Sequence, residues 1–99
     1  MPTFMCFLNW TDQGAKNAKD ANKRFQASQS MAGKLGGKLL SAYVTTGQYD
    51  VVLTLEMPNG EAMAKFASAI SGSGNARTTT VRAYKPDEFS KLVAEAPKM

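Results

Sequence analysis

No histidine occurs anywhere in the 99 residues, and cysteine occurs once, as Cys6. Without an imidazole there is no ordinary general base near neutral pH and no haem or zinc ligand of that type. One cysteine builds neither a thiolate cage nor an internal disulfide framework. Metal centres and histidine-based triads are therefore set aside, and no metal and no cofactor are expected. The lone thiol fits a reducing compartment. Set among apolar neighbours in a strand, it reads as buried and inert; a nucleophilic thiol needs an exposed, electropositive setting.

Long apolar runs are also missing. None approaches the roughly eighteen residues of a membrane span, and Met1-Pro2-Thr3-Phe4 lacks the positive opening of a secretory signal. The expected location is the cytoplasm, with no membrane partner. There is no glycine-rich phosphate loop with a following lysine. Gly72-Ser73-Gly74 follows a helical pattern and precedes a strand, the reverse of the order that presents amides to phosphate. The Arg/Lys-Gly-aromatic signature of RNA-binding modules is absent too, so no specific nucleic-acid partner is expected.

What is present points to one folded domain over residues 1–99. The hydrophobic fraction of 43% and charged fraction of 20% are those of a globular chain. At this length only about two thirds of the unfolded surface becomes buried, so the core is modest. The net charge of +4 is concentrated: Lys16, Lys19, Lys23, Arg24, Lys34 and Lys38 stand against Asp20 alone, while residues 39–99 balance six basic against six acidic. This segment is either the solvated face of an amphipathic helix, which its modest charge density favours, or a footprint for a polyanion.

Periodicity gives the order β-α-β-β-α-β-α. Thr3 to Asn9 alternates as a strand. After a polar stretch from Trp10 to Lys16, small or apolar residues recur at helical spacing at Ala18, Ala21, Phe25, Ser28, Ala32 and Leu35, with Asn17 as candidate cap and Gly36-Gly37 as stop. Lys38 to Thr46 and Asp50 to Met57 read as a hairpin turning at Gly47-Gln48-Tyr49. Pro58-Asn59-Gly60-Glu61 opens a helix with Met63, Phe66, Ala67 and Ile70 inward, ended by Ser71 to Gly74. Asn75 to Tyr84 is a threonine-rich strand. Pro86-Asp87-Glu88 opens a short last helix carrying Phe89, Leu92 and Val93.

Two β-α-β halves predict an α+β, ferredoxin-like βαββαβ fold with a short C-terminal helix, a four-stranded antiparallel sheet in the order 4-1-3-2 and both main helices on one face. That order brings three distant segments to one end of the sheet: Asn9-Trp10-Thr11-Asp12-Gln13-Gly14, Gly47-Gln48-Tyr49-Asp50 and Gly74-Asn75-Ala76-Arg77-Thr78-Thr79-Thr80. Asn9, Trp10, Asp12, Tyr49, Asp50, Arg77 and Thr78 are accordingly the candidate ligand-binding residues; no catalytic residue is nominated. In a functional role Asp50 is a base or ligand acceptor and Arg77 an anion clamp, the two bridged through Asn9 or Asp12. In a structural role Asp50 accepts backbone amides to shape the turn and Arg77 ties the loops together.

These three segments resemble the corresponding motifs of the GYD family, and the likeness runs over nearly the whole chain. A glutamine stands inside the Gly-Tyr-Asp element here, at Gln48. The resemblance implies a ferredoxin-like fold in the dimeric α+β barrel group, found chiefly in bacteria and archaea. It supplies no reaction.

Residue alternation separates two sheet faces. Leu8, Val51, Leu53, Leu55 and Val81 are expected under the helices, leaving Met5, Phe7, Tyr43, Val52, Thr54, Thr80, Arg82 and Tyr84 on the other side. That side is too apolar for water. A second copy covering it makes a closed, barrel-like homodimer; the alternative is that the terminal helix folds over it. Two functions follow. One is a homo-oligomeric small-molecule-binding domain with a pocket between the sheet face and the motif end. The other is a structural or regulatory oligomer whose motif residues make subunit contacts.

Overall fold

A computed structural model describes residues 1–99. The chain runs β1 (Thr3–Trp10), α1 (Asp12–Lys16), a 3-10 turn (Ala18–Asp20), α2 (Ala21–Lys34), β2 (Lys38–Val44), β3 (Val51–Glu56), α3 (Gly60–Gly72), β4 (Ala76–Ala83) and α4 (Pro86–Glu95). The strands form one antiparallel sheet in the order β2-β3-β1-β4, the order implied by the two β-α-β halves. No helix is long and apolar enough to cross a membrane.

Local chemistry explains most boundaries. Helix α2 ends in a Schellman arrangement: Gly37 N–H donates to Ala32 O, Gly36 N–H donates to Gly33 O, and Gly36 holds a φ of 82°, where a Cβ is disfavoured. Helix α3 begins where the Asn59 side chain accepts the Ala62 amide at 2.9 Å. Helix α4 opens on Pro86, with the Glu88 carboxylate accepting the Lys85 amide at 3.0 Å.

The stretch after β1 differs from the expected loop. Trp10 is the last residue of β1, and Asp12–Lys16 is a short helix because Thr11 caps it, its hydroxyl accepting from Gly14 N–H at 3.2 Å. Asn17 makes no side-chain cap; the 3-10 turn leads the chain into α2 at Ala21. Five helical residues carry too little periodicity to be seen in the sequence.

The core lies between the sheet and α2 and α3. Phe4, Cys6 and Leu8 alternate inward from β1, Val51, Leu53 and Leu55 from β3, and Met57, Met63 and Phe66 complete the layer. Directly opposed residues of an antiparallel pair share a face. Thr80 opposes Cys6, Arg82 opposes Phe4 and Val81 opposes Met5. Strand β4 is therefore turned by one residue relative to the sequence expectation: Thr80 and Arg82 lie on the helix face, while Val81 lies on the open face and is exposed. The guanidinium of Arg82 lies over the Tyr84 ring at 4.2 Å and donates to Thr3 O at 3.0 Å, which ties this end of β4 to β1.

The open face carries Met5, Phe7, Tyr43, Val52 and Val81, with Tyr43 66% exposed. Helix α4 does not cover it. Phe89, Leu92 and Val93 on α4 are themselves exposed, so the intramolecular lid is not what this chain forms.

Cys6 is fully buried, and its thiol pKa is pushed up by burial, with the hydrogen bond from Thr80 acting in the opposite direction. The folded protein thus holds this proton more tightly than the unfolded chain. The group's contribution to stability is complete below the ordinary thiol value of 9.0 and is lost as pH rises through the raised one. Native Cys6 should react with iodoacetamide about a hundredfold or more slowly than in denaturant. Equal rates in the two states would show that the strand opens readily.

Candidate functional site

Hydrogen bonds join the end of β1 to both of the other motif segments. The pairing of β1 with β3 stops at Leu8 and Val51, so the Trp10 amide has no β3 carbonyl to meet. Asp50 supplies the missing acceptor: its Oδ2 takes the Trp10 N–H at 2.9 Å, while its own amide donates to Leu8 O at 2.9 Å. The Asn9 side chain donates to Gln48 O at 2.7 Å, and Thr45 closes the turn by donating to Asp50 O from its amide and to Tyr49 O from its hydroxyl. Gly47, at a φ of 120°, permits the turn's backbone. The Tyr49 ring packs on Phe7 with centroids 4.7 Å apart.

On the other flank, Thr11 N–H donates to Asn75 O at 3.1 Å and the Thr11 hydroxyl donates to Gly74 O at 2.6 Å. Gln13 adds a bond to the Asn75 side chain at 3.1 Å. Gly14 packs so closely here that a Cβ would stand 1.9 Å from Asn75 O.

The seven candidates therefore share one end of the sheet without sharing one face. Trp10 and Thr78, paired with Ala76 and Leu8, belong to the helix-covered side, and the Thr78 hydroxyl meets that of Ser71 at 3.2 Å. Asn9 and Arg77 oppose each other on the open side, with Arg77 exposed. Tyr49 leans to the open side through Phe7, Asp12 is exposed in the first turn of α1, and Asp50 sits at the junction, engaged with the Trp10 amide. The Asn9 amide is committed to the Gln48 carbonyl. No three His, Cys, Asp or Glu side chains gather closely enough to hold a metal ion.

A cavity of about 170 Å³ lies on the helix-covered side at this same end. Its floor is Leu8, Val51 and Leu53 of the central strands; Phe25 and Met31 of α2 and Ile70 of α3 form the walls, and Trp10, Ser73 and Asn75 bring the motif segments to it. The space exists because α2 packs on β2 at one sheet edge and α3 on β4 at the other, leaving the central strands less covered. Arg24, half-buried, also lines it. Sequence reasoning placed Arg24 in a basic segment read by preference as a solvated face, and it expected a pocket between the sheet face and the motif end without locating this cavity under α2 and α3. The available signal was the run of small residues Ala21, Ala27 and Ser28 on α2, whose side chains cannot fill the gap toward α3.

The strand order, helix placement and motif end define an α+β domain with a four-stranded antiparallel sheet. A family model described as GYD domain matches residues 4–93, and the chain belongs to the GYD family. Among solved structures, the chain is similar to FFRP-DM1 at 17% identity and a TM-score of 0.61, covering 85% of this chain and 100% of that one. It is similar to the leucine response regulatory protein LrpA of Mycobacterium tuberculosis at 15% identity and a TM-score of 0.63, with 85% of this chain covered but only 51% of that one. It is also similar to TTHA0845 of Thermus thermophilus, at 22% identity and a TM-score of 0.54 over 86% of this chain and 95% of that one. At these identities the likeness is one of fold. No curated protein matches the chain.

Proposed function

We propose that this GYD-family chain is a homo-oligomeric small-molecule-binding domain, a ferredoxin-like unit that pairs through its open sheet face into a dimeric α+β barrel. The observation that carries the binding reading is the apolar cavity beneath α2 and α3, reached by Trp10 at the motif end. Trp10 lines the cavity while its amide is held by Asp50, so the Gly-Tyr-Asp turn positions a wall of the pocket. The other candidate residues, Asn9, Asp12, Tyr49, Arg77 and Thr78, surround that end.

The pairing reading is supported by the open face itself, where Met5, Phe7, Tyr43, Val52 and Val81 lie together on an unpartnered sheet. A second function, a structural or regulatory oligomer with no ligand chemistry, is favoured by one specific feature: Asp50, Asn9 and Thr11 all spend side-chain bonds on main-chain groups.

A fragment screen by thermal denaturation separates the two. A ligand at about a hundred times its dissociation constant adds roughly 2.7 kcal/mol, a rise of ten degrees or more in a domain of this size. Ile70→Trp, which fills the cavity, should abolish the rise while leaving the oligomer intact. If no fragment raises the midpoint, or the rise survives Ile70→Trp, the pocket reading fails and the structural one replaces it.

A further inference from the structure

The cavity has a chemical polarity that narrows its ligand, an inference that rests on the small-molecule-binding reading above. Among the side chains lining it, Arg24 carries the only charge, and no carboxylate faces it. The Arg24 Nη2 donates to Gly14 O at 3.5 Å, the outer limit of a hydrogen bond, so most of the guanidinium's five donors are left for something else. Ala21, the first residue of α2, lines the same cavity, which places the positive end of that helix dipole beside it. Lys16, Lys19 and Lys23 outnumber Asp12 and Asp20 in the stretch leading into and through the start of α2, so the local charge balance there is positive. The rest of the lining is mostly apolar, with Leu8, Val51 and Leu53 nearly excluded from water.

Size sets the second limit. At about 170 Å³ the space is close to the roughly 150 Å³ apolar cavity that accommodates a single benzene ring. A nucleotide is far larger than this space, and a sugar would leave its hydroxyls unpaired against the apolar floor. We infer that the cavity between α2 and α3 takes a small organic monocarboxylate, with one aromatic ring or a short alkyl chain over Leu8, Val51 and Leu53 and its carboxylate on Arg24. A carboxylate matches the guanidinium fork with two parallel charge-assisted bonds, which a neutral alcohol or amide cannot reproduce.

The test is isothermal titration of the full chain with benzoate, phenylacetate and hexanoate, each set against a neutral isostere such as benzyl alcohol or benzamide. The acids are expected to bind about ten- to a hundredfold more tightly than the isosteres. Arg24→Met, which keeps the apolar stem, should remove that advantage while leaving the isosteres within about threefold, and Arg24→Lys should restore part of it. The comparison of acids with isosteres needs no variant, so it decides the matter even if Arg24→Met fails to fold. Equal binding of acids and isosteres, both lost in Ile70→Trp, overturns the carboxylate assignment while the pocket reading stands. Silence from both sets, with no fragment of any class raising the melting midpoint, removes the two together.

Discussion

Val52→Lys should turn the proposed homodimer into a folded monomer. Val52 lies near the middle of the open face, opposed by Phe7 on β1 and by Tyr43 on β2. The face is apolar across all four strands and α4 does not pack on it, since Phe89, Leu92 and Val93 remain exposed. In an isologous pairing each substitution appears twice, so two uncompensated ammonium groups enter one interface. At about 3–5 kcal/mol for each buried unpaired charge, the dissociation constant should rise by about four orders of magnitude or more. Light scattering at micromolar concentration should give the mass of two copies for the unaltered chain and of one for the variant, with the far-ultraviolet spectrum unchanged. A wild-type chain that runs as a monomer, or a variant that keeps the dimer mass, would sink the pairing.

Residue patterning carries unequal information along this chain. Strand β1 is apolar at every position from Phe4 to Leu8 and so announces two apolar faces, and β3 reveals its helix side by setting Leu53 and Leu55 against Thr54 and Glu56. Strand β4 does not: Thr78-Thr79-Thr80 presents the same side chain to both faces, and Val81 alone suggested a parity that pairing with Met5 reverses. Its register is set by main-chain pairing with β1 and by Arg82 over Phe4, neither of which leaves a mark on local hydrophobicity. The motif end was legible because topology alone brings its segments together. Which of its side chains face the cavity was not, because Arg24 looks like any other basic helix residue, and a void is written in the residues that fail to fill it. Asp50 illustrates the same limit. Its type and place in the turn allowed either a ligand acceptor or a backbone clamp, and only the end of the β1–β3 register at Leu8 shows why an amide two residues on needs a carboxylate.

Gly14→Ala should be the most damaging small substitution at the motif end. The Thr11 amide and hydroxyl draw the start of α1 onto the main chain at Gly74 and Asn75, and this leaves no room for a side chain at Gly14. A Cβ there would lie 1.9 Å from Asn75 O and 2.8 Å from Asn75 C, against backbone held in place by β4. Relief requires α1 to lift away, breaking the Thr11 bonds, so the cost should reach about 3 kcal/mol or more, at the upper end for overpacking. For a domain of this size each kcal/mol moves the melting midpoint by about 4–8 °C, and a fall exceeding ten degrees is expected. Gly33→Ala is the matched control: nothing lies within 4 Å of its added Cβ, and alanine within the helix should raise the midpoint through a gain of about 0.5–1 kcal/mol. Because Gly14 O also accepts from Arg24, lifting α1 frees that guanidinium from its main-chain tether beside the cavity. Gly14→Ala should therefore alter acid binding as well as stability, whereas Gly33→Ala should leave binding alone. A Gly14→Ala chain that melts with the wild type would show that α1 is not packed against Asn75 in solution, and the motif end would then lack the rigidity that a pocket wall needs.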